Sequence, residues 1–157
     1  MNTWMLRLLK ALIVILFAGG ALVAVTFIPW AALSDAQAYP ELSYLAIPYA
    51  VLAIGTVACA EAILVATFKL AGMVQRGRIF DASALRWVTL MVRSAVVATA
   101  LVGVVAVDAT FFVPANPGSI TLLGATVGVG AIALILMVMR DMLTTAVQHK
   151  VELDEVV

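Results

Sequence analysis

Residues 120–139 read ITLLGATVGVGAIALILMVM, a run of twenty residues without a single charged side chain. A helix rises about 1.5 Å per residue and the hydrocarbon layer of a bilayer is about 30 Å thick, so roughly 20 apolar residues cross it. Of the 157 residues in the chain, 65% are hydrophobic and only 11% are charged. A soluble domain carries about a quarter charged residues. The composition therefore predicts an integral membrane protein.

Three further apolar runs have the length of a membrane-spanning helix, and they lie at about residues 11–30, 44–68 and 87–112. Together with 120–139 they predict an all-α fold, a single domain over 1–157 that forms an antiparallel bundle of four transmembrane helices. Alternatively, the first run is a signal peptide that is cleaved at Ala36-Gln37-Ala38. It is longer than the usual signal-peptide core of about 7–15 residues, so we expect it to be retained.

The basic residues predict the side of the membrane on which each connection lies. The chain has nine of them: Arg7, Lys10, Lys69, Arg76, Arg78, Arg86, Arg93, Arg140 and Lys150. The connections 31–43 and 113–119 contain none. Because cytoplasmic segments carry the excess of Lys and Arg, both termini, the loop 69–86 and the tail 140–157 are predicted to be cytoplasmic.

Two opposite charges lie inside the second and third spans, where a charged side chain costs about 2.5–3.5 kcal/mol on insertion scales. Glu61 and Arg93 are equally distant in sequence from Gly77, the expected centre of the turn between these spans. We therefore predict a buried ion pair that fixes the register of the two helices. Two alternatives remain: Glu61 carries a proton or ligand with Arg93 as its partner, or Arg93 makes no contact with it and reaches the headgroups.

Two features nearer the outer side are also singled out. Asp108 lies near the outer end of the third span, where no basic residue accompanies it. We expect it to reach interfacial water or to accept hydrogen bonds from Thr110, Thr26 or the backbone; facing a cavity, it would attract a cation.

Gly124 and Gly128 have the G-x-x-x-G spacing that lets helices approach closely, either within the chain or in a homo-oligomer.

The residues of catalytic and metal sites are scarce. Cys59 is the only cysteine and His149 the only histidine, so a cysteine- or histidine-rich metal site has too few ligands. No Ser-His-Asp set or phosphate-binding glycine loop is present in the sequence. We therefore expect no enzymatic activity, no cofactor and no direct nucleic-acid partner. A lipid or quinone pocket leaves little signature in a sequence and stays open.

The connection between the second and third spans has the most specific local sequence, QRGRIFDASALRWV over residues 75–88. Gly77 suits a helix C-terminus, and Asp81 suits the N-cap of the next helix. Phe80 and Leu85 have the spacing of a hydrophobic staple across that cap. The surface of this loop is basic, which favours anionic headgroups or an acidic partner.

Gly77, Phe80, Leu85 and Arg86, together with the four-span layout, resemble a widespread family of small bacterial inner-membrane proteins known only as a domain of unknown function. Asp81 stands where such proteins often have serine. The resemblance implies a multi-pass protein of the bacterial inner membrane. Because genes of the family often lie beside those of small helix-turn-helix regulators, it also implies membrane-linked regulation.

Two functions from different classes follow from these observations. The first is a non-enzymatic sensor or tether that contacts a cytoplasmic regulator or another membrane protein, through the basic loop or through the tail. The tail could continue the fourth helix into the cytoplasm and offer a contact surface; the alternative is a solvated helix end without a partner. The alternative is a small proton-coupled transporter that uses Glu61, since four spans and a membrane carboxylate resemble the plan of small multidrug exporters. A pairing of Glu61 with Arg93 would count against the transporter.

Overall fold

The computed structural model describes residues 3–76, 82–111 and 119–154. Its first membrane-length segment is assembled from three helical pieces: α1 (Thr3–Leu22), a π-helical turn (Val23–Phe27) and α2 (Ile28–Ala38). Pro29 explains the π-helical turn, because proline has no N–H to donate to the preceding turn and its ring collides with the carbonyl there. The wider π-helical turn just before Pro29 accommodates both effects, so the segment continues without a break.

The second segment follows directly on the first. Tyr39 leaves the helical conformation, with φ −130° and ψ 77°, as expected for a residue that precedes a proline. A short 3-10 turn (Pro40–Leu42) then leads into α3 (Ser43–Gln75). Pro48 lies within the early turns of α3.

The remaining described helices are α4 (Ala82–Phe111) and α5 (Ser119–Asp154). Among the described residues, four helical segments are long and apolar enough to cross a membrane, the first of them formed by α1, the π-helical turn and α2 together. This confirms the predicted all-α fold with four spans. The helices are longer than the predicted spans, however. Much of the connection 31–43 is α2, and the tail continues α5 as far as Asp154. Hydropathy marks only the part of a helix that suits lipid, whereas the backbone hydrogen bonds of a helix continue into water.

Packing follows the order of the chain. Within the described residues, α1 and α2 pack on α3, α3 packs on α4, and α4 packs on α5, while α5 makes no close backbone approach to α1, α2 or α3. α3 and α4 are antiparallel, since Tyr49 meets Asp108 and Gly55 meets Leu101. α4 and α5 are antiparallel as well, since Gly103 meets Thr126 and Gly130 meets Thr99.

Small residues on α4 make this arrangement possible. Its buried positions are mostly alanine or serine, and they are Ala84, Val92, Ser94, Ala95, Ala98, Ala106 and Ala109. Short side chains let two helices approach α4 closely, and close van der Waals contact is the main attraction between helices in lipid. The α4–α5 contact also uses glycines, because Gly103 lies against Thr126 and Gly130 against Thr99.

Candidate functional site

Glu61 lies on α3 and turns its carboxylate towards α1. Its Oε1 atom is buried and has no hydrogen-bond partner among the described residues. A Cβ atom added to Gly20 of α1 would lie 3.1 Å from that oxygen, so the absence of a side chain at Gly20 leaves room for the carboxylate. An unpaired polar atom in a low-dielectric setting is costly, which makes the Glu61 carboxylate a candidate functional group.

Arg93 is not the partner of Glu61. Its side chain is exposed on α4, where it lines a groove together with Arg86. The observed register explains the error. The Leu101 side chain lies 3.2 Å from a Cβ atom added to Gly55, and counting six residues along each antiparallel helix from this contact brings Glu61 opposite Ala95. The structure therefore agrees with the alternative in which Arg93 makes no contact with Glu61.

Asp108 has a partner that the sequence analysis missed. The Tyr49 hydroxyl of α3 donates a 2.5 Å hydrogen bond to Oδ2 of Asp108. The two expected threonine donors instead serve backbone carbonyls: Thr110 donates to Ala106 at 2.7 Å and Thr26 to Leu22 at 2.7 Å. The Tyr49–Asp108 bond joins α3 to α4 near the ends opposite to the 77–81 connection.

A second interhelical link lies at the other end of α3. The ammonium group of Lys10 donates a 2.8 Å hydrogen bond to Oε1 of Gln75. The same Nζ atom lies 5.6 Å from the centre of the Phe68 ring, within the range of a cation–π contact. Both contacts hold the beginning of α1 against the end of α3. No sequence motif marked them.

A third link joins α4 to α5. Nε of Arg140 donates a 3.2 Å hydrogen bond to Oγ1 of Thr89. Thr89 lies in the groove of about 450 Å³ that Arg86 and Arg93 also line, with Leu85 and Leu90. The structure thus gathers three arginines around one threonine at this end of the molecule. The sequence predicted Arg86 and Arg140 on this side of the membrane and Arg93 in a buried pair with Glu61, and it did not associate the three arginines.

The G-x-x-x-G pair takes no part in packing within the described chain. Gly124 and Gly128 are exposed on α5, and a Cβ added to either would meet nothing within 4 Å. Gly103 and Gly130 make the close α4–α5 approaches instead. Association of this face with a second copy of the chain stays a prediction.

The predicted loop motif falls largely outside the described residues. Gly77, Phe80 and Asp81 belong to the range 77–81, so the two predicted caps and the predicted staple lie outside the described residues. Leu85 and Arg86 are described, and both line the groove. Cys59 is half-buried on α3.

These features define the class: a multi-pass membrane protein of four helices in which polar links join successive helices. The chain belongs to the family described as "Protein of unknown function (DUF2975)", whose model matches residues 30–157. This confirms the resemblance drawn from the loop motif and the four spans. No curated protein and no solved structure matches the chain.

Proposed function

We propose that the chain is a non-enzymatic membrane protein, a sensor or tether that binds a cytoplasmic regulator. The length of α5 carries the proposal, since this helix runs for 36 residues from Ser119 to Asp154. At about 1.5 Å per residue such a helix is much longer than the roughly 30 Å of hydrocarbon. Its last turns, residues 141–154, would therefore project from the membrane as a rigid extension, called here the arm.

The arm offers a mixed surface close to the membrane. Its exposed polar side chains include Asp141, Thr145 and Gln148. Met142 lies between them and is exposed to 70%. A flexible, polarisable Met side chain suits contact with another protein. The hydrogen bond from Arg140 to Thr89 lies at the base of the arm and joins it to α4. A shift of α4 against α5 would thus change the direction of the arm, which is how a sensor could signal.

The proposal requires the arm to be cytoplasmic, and the charges support that orientation. Lys10, Arg76, Arg86 and Arg140 lie towards one end of the four helices, whereas Asp35 and Glu41 lie in the connection at the other. The end richer in Lys and Arg is retained in the cytoplasm. We therefore propose that both termini are inside and that the membrane is the bacterial inner membrane.

Cysteine labelling tests this orientation. In a Cys59→Ala background, we expect a membrane-impermeant maleimide to label Asp35→Cys in intact spheroplasts. Gln148→Cys should react only after permeabilisation, because it lies on the arm. Asp35 and Gln148 are both exposed, so a difference in labelling reports the side of the membrane and not burial within the fold. Labelling of Gln148→Cys in intact spheroplasts would place the arm outside and exclude a cytoplasmic partner.

Site-specific photo-crosslinking in cells tests the partner. A photoreactive amino acid at Met142 is expected to give a discrete adduct with a soluble cytoplasmic protein, which mass spectrometry identifies. The matched control is Leu134, which is similarly exposed on the same helix but lies in the membrane span. Adducts from both positions, or from neither, would contradict the proposal, as would an adduct formed only with a second copy of the chain.

A second candidate function is favoured by one observation. The buried, unpartnered Oε1 of Glu61 is the kind of group that could take up and release a proton in a small transporter. Such a transporter would work as paired protomers, and the open face of Gly124 and Gly128 would suit a second copy. This face lies on α5, however, which packs on α4 and not on α3, the helix that bears Glu61. Because a dimer through α5 would not enclose Glu61, we rank this function second.

A further inference from the structure

We propose that the groove on α4 binds the phosphate of an anionic phospholipid, with Arg86 and Arg93 as its ligands. This inference is independent of the proposed function. The groove measures about 450 Å³ and is lined by Leu85, Arg86, Thr89, Leu90 and Arg93. Both arginines are exposed. They lie seven residues apart, which is two helical turns and about 10 Å, so they stand on the same face of α4.

The guanidinium groups suit a phosphate between them. Arginine presents several N–H donors in a planar fork that matches the oxygens of a phosphate group. Thr89 lies between the two arginines along the helix and accepts a hydrogen bond from Arg140, so its own hydroxyl proton remains available to a phosphate oxygen. Arg140 adds a third positive charge beside the same threonine. The site therefore combines charge with directed donors.

The surface beyond the groove favours a lipid over a free phosphate ion. The exposed face of α4 continues from Arg93 through Val97, Ala100 and Val104, each three or four residues from the last. Val97 is exposed to 48% and Val104 to 59%, and no described helix covers them. The distance from Arg93 to Val104 along the axis is about 16 Å, which is roughly half the hydrocarbon thickness. One acyl chain can lie along this face while its headgroup occupies the groove.

The position of Arg93 within the span supports the same conclusion. It lies well inside the apolar stretch Ser83–Phe111, where an isolated charge is costly, and it does not pair with Glu61. A long Arg side chain can bend towards the headgroups, and a phosphate held in the groove would meet it there. Basic clefts on the cytoplasmic side of membrane helices are known to hold anionic headgroups.

The test is a titration of purified protein in phosphatidylcholine mixed micelles with phosphatidylglycerol, read as the thermal unfolding midpoint. We expect the midpoint of the unchanged protein to rise and saturate. Arg86→Gln/Arg93→Gln should require about tenfold more phosphatidylglycerol for the same rise, a loss that corresponds to about 1.4 kcal/mol. The control Lys69→Gln/Arg76→Gln removes two exposed charges at the end of α3 and just after it, and should respond as the unchanged protein does.

Three outcomes would overturn the proposal. Equal responses of the groove variant and the control would mean that only the general surface charge attracts the lipid. An equal rise with inorganic phosphate alone would identify a free anion as the ligand. No rise in the unchanged protein would exclude a stabilising lipid site. If the double groove variant does not fold, Arg86→Gln and Arg93→Gln are titrated singly, and each should show a partial loss.

Discussion

Glu61→Leu is expected to make the protein more stable by about 2 kcal/mol. The carboxylate oxygen Oε1 is buried without a hydrogen-bond partner among the described residues, so no hydrogen bond offsets the desolvation of this oxygen. A charged side chain at membrane depth costs about 2.5–3.5 kcal/mol on insertion scales. Because Glu61 is half-buried, its replacement by leucine should remove part of that cost. Leucine is similar in size, and Gly20 leaves it space. The measurement is the thermal unfolding midpoint in detergent, where we expect a rise of several degrees.

A double-mutant cycle separates this explanation from an ion pair. Because Glu61 and Arg93 do not meet, the effects of Glu61→Ala and Arg93→Ala should add to within about 0.5 kcal/mol. A matched control is Glu41→Leu, which removes a carboxylate from an exposed position and should change stability little. The opposite result would support the predicted ion pair: Glu61→Leu would lower the stability, and the double alanine variant would be more stable than the sum of the two single alanine changes predicts.

The same variant distinguishes the two candidate functions. A destabilising polar group is often retained because activity needs it, so removal that stabilises the fold commonly reduces function. If the chain is a transporter, Glu61→Leu should abolish proton-coupled uptake while raising stability. If it is a sensor or tether that acts through the arm, crosslinking from Met142 should survive the change. Loss of the adduct together with a stabilised fold would assign Glu61 to the signalling step itself.

The sequence predicted the four helices because the constraint in a bilayer is simple. Every backbone polar group must be bonded within its own helix, and about 20 apolar residues must face lipid. The helix ends were less predictable. The segment α2 reaches Ala38 through Asp35, and α5 continues beyond Arg140 to Asp154. A charged residue marks the end of an apolar stretch in the sequence, but the backbone hydrogen bonds of the helix continue past it.

The contacts between helices could not be predicted from the depth of each residue in the membrane, because they also depend on the direction in which each side chain points. Glu61 was matched to Arg93 by equal distance from Gly77, but the Gly55–Leu101 contact, extended along both helices, brings Glu61 opposite Ala95. Two residues amount to only about 3 Å along the axis, yet they rotate a side chain by about 200° around it. A small error in register thus moves Arg93 from the interface to the exposed face. Tyr49 was missed as the partner of Asp108 for a related reason, since only the packed register brings them together.

Tyr49→Phe is expected to destabilise the protein by about 1 kcal/mol. The change deletes one hydroxyl and leaves the ring, so the loss reports the hydrogen bond to Asp108 rather than packing. A bond to a carboxylate contributes more than a neutral one, although interhelical bonds in membrane proteins average about 0.6 and reach about 1.7 kcal/mol. Tyr44→Phe is the control, because Tyr44 is exposed near the same end of α3 and should tolerate the change.

Asp108→Ala completes the cycle. Once Tyr49 is phenylalanine, the carboxylate has lost the donor that the structure gives it, so its removal should then cost less than in the unchanged protein. We expect a coupling of about 1 kcal/mol between the two positions. The measurement is again the unfolding midpoint of both single variants and the double variant. Strict additivity would mean that the bond contributes nothing, and α3 and α4 would then be held at this end by their small residues alone.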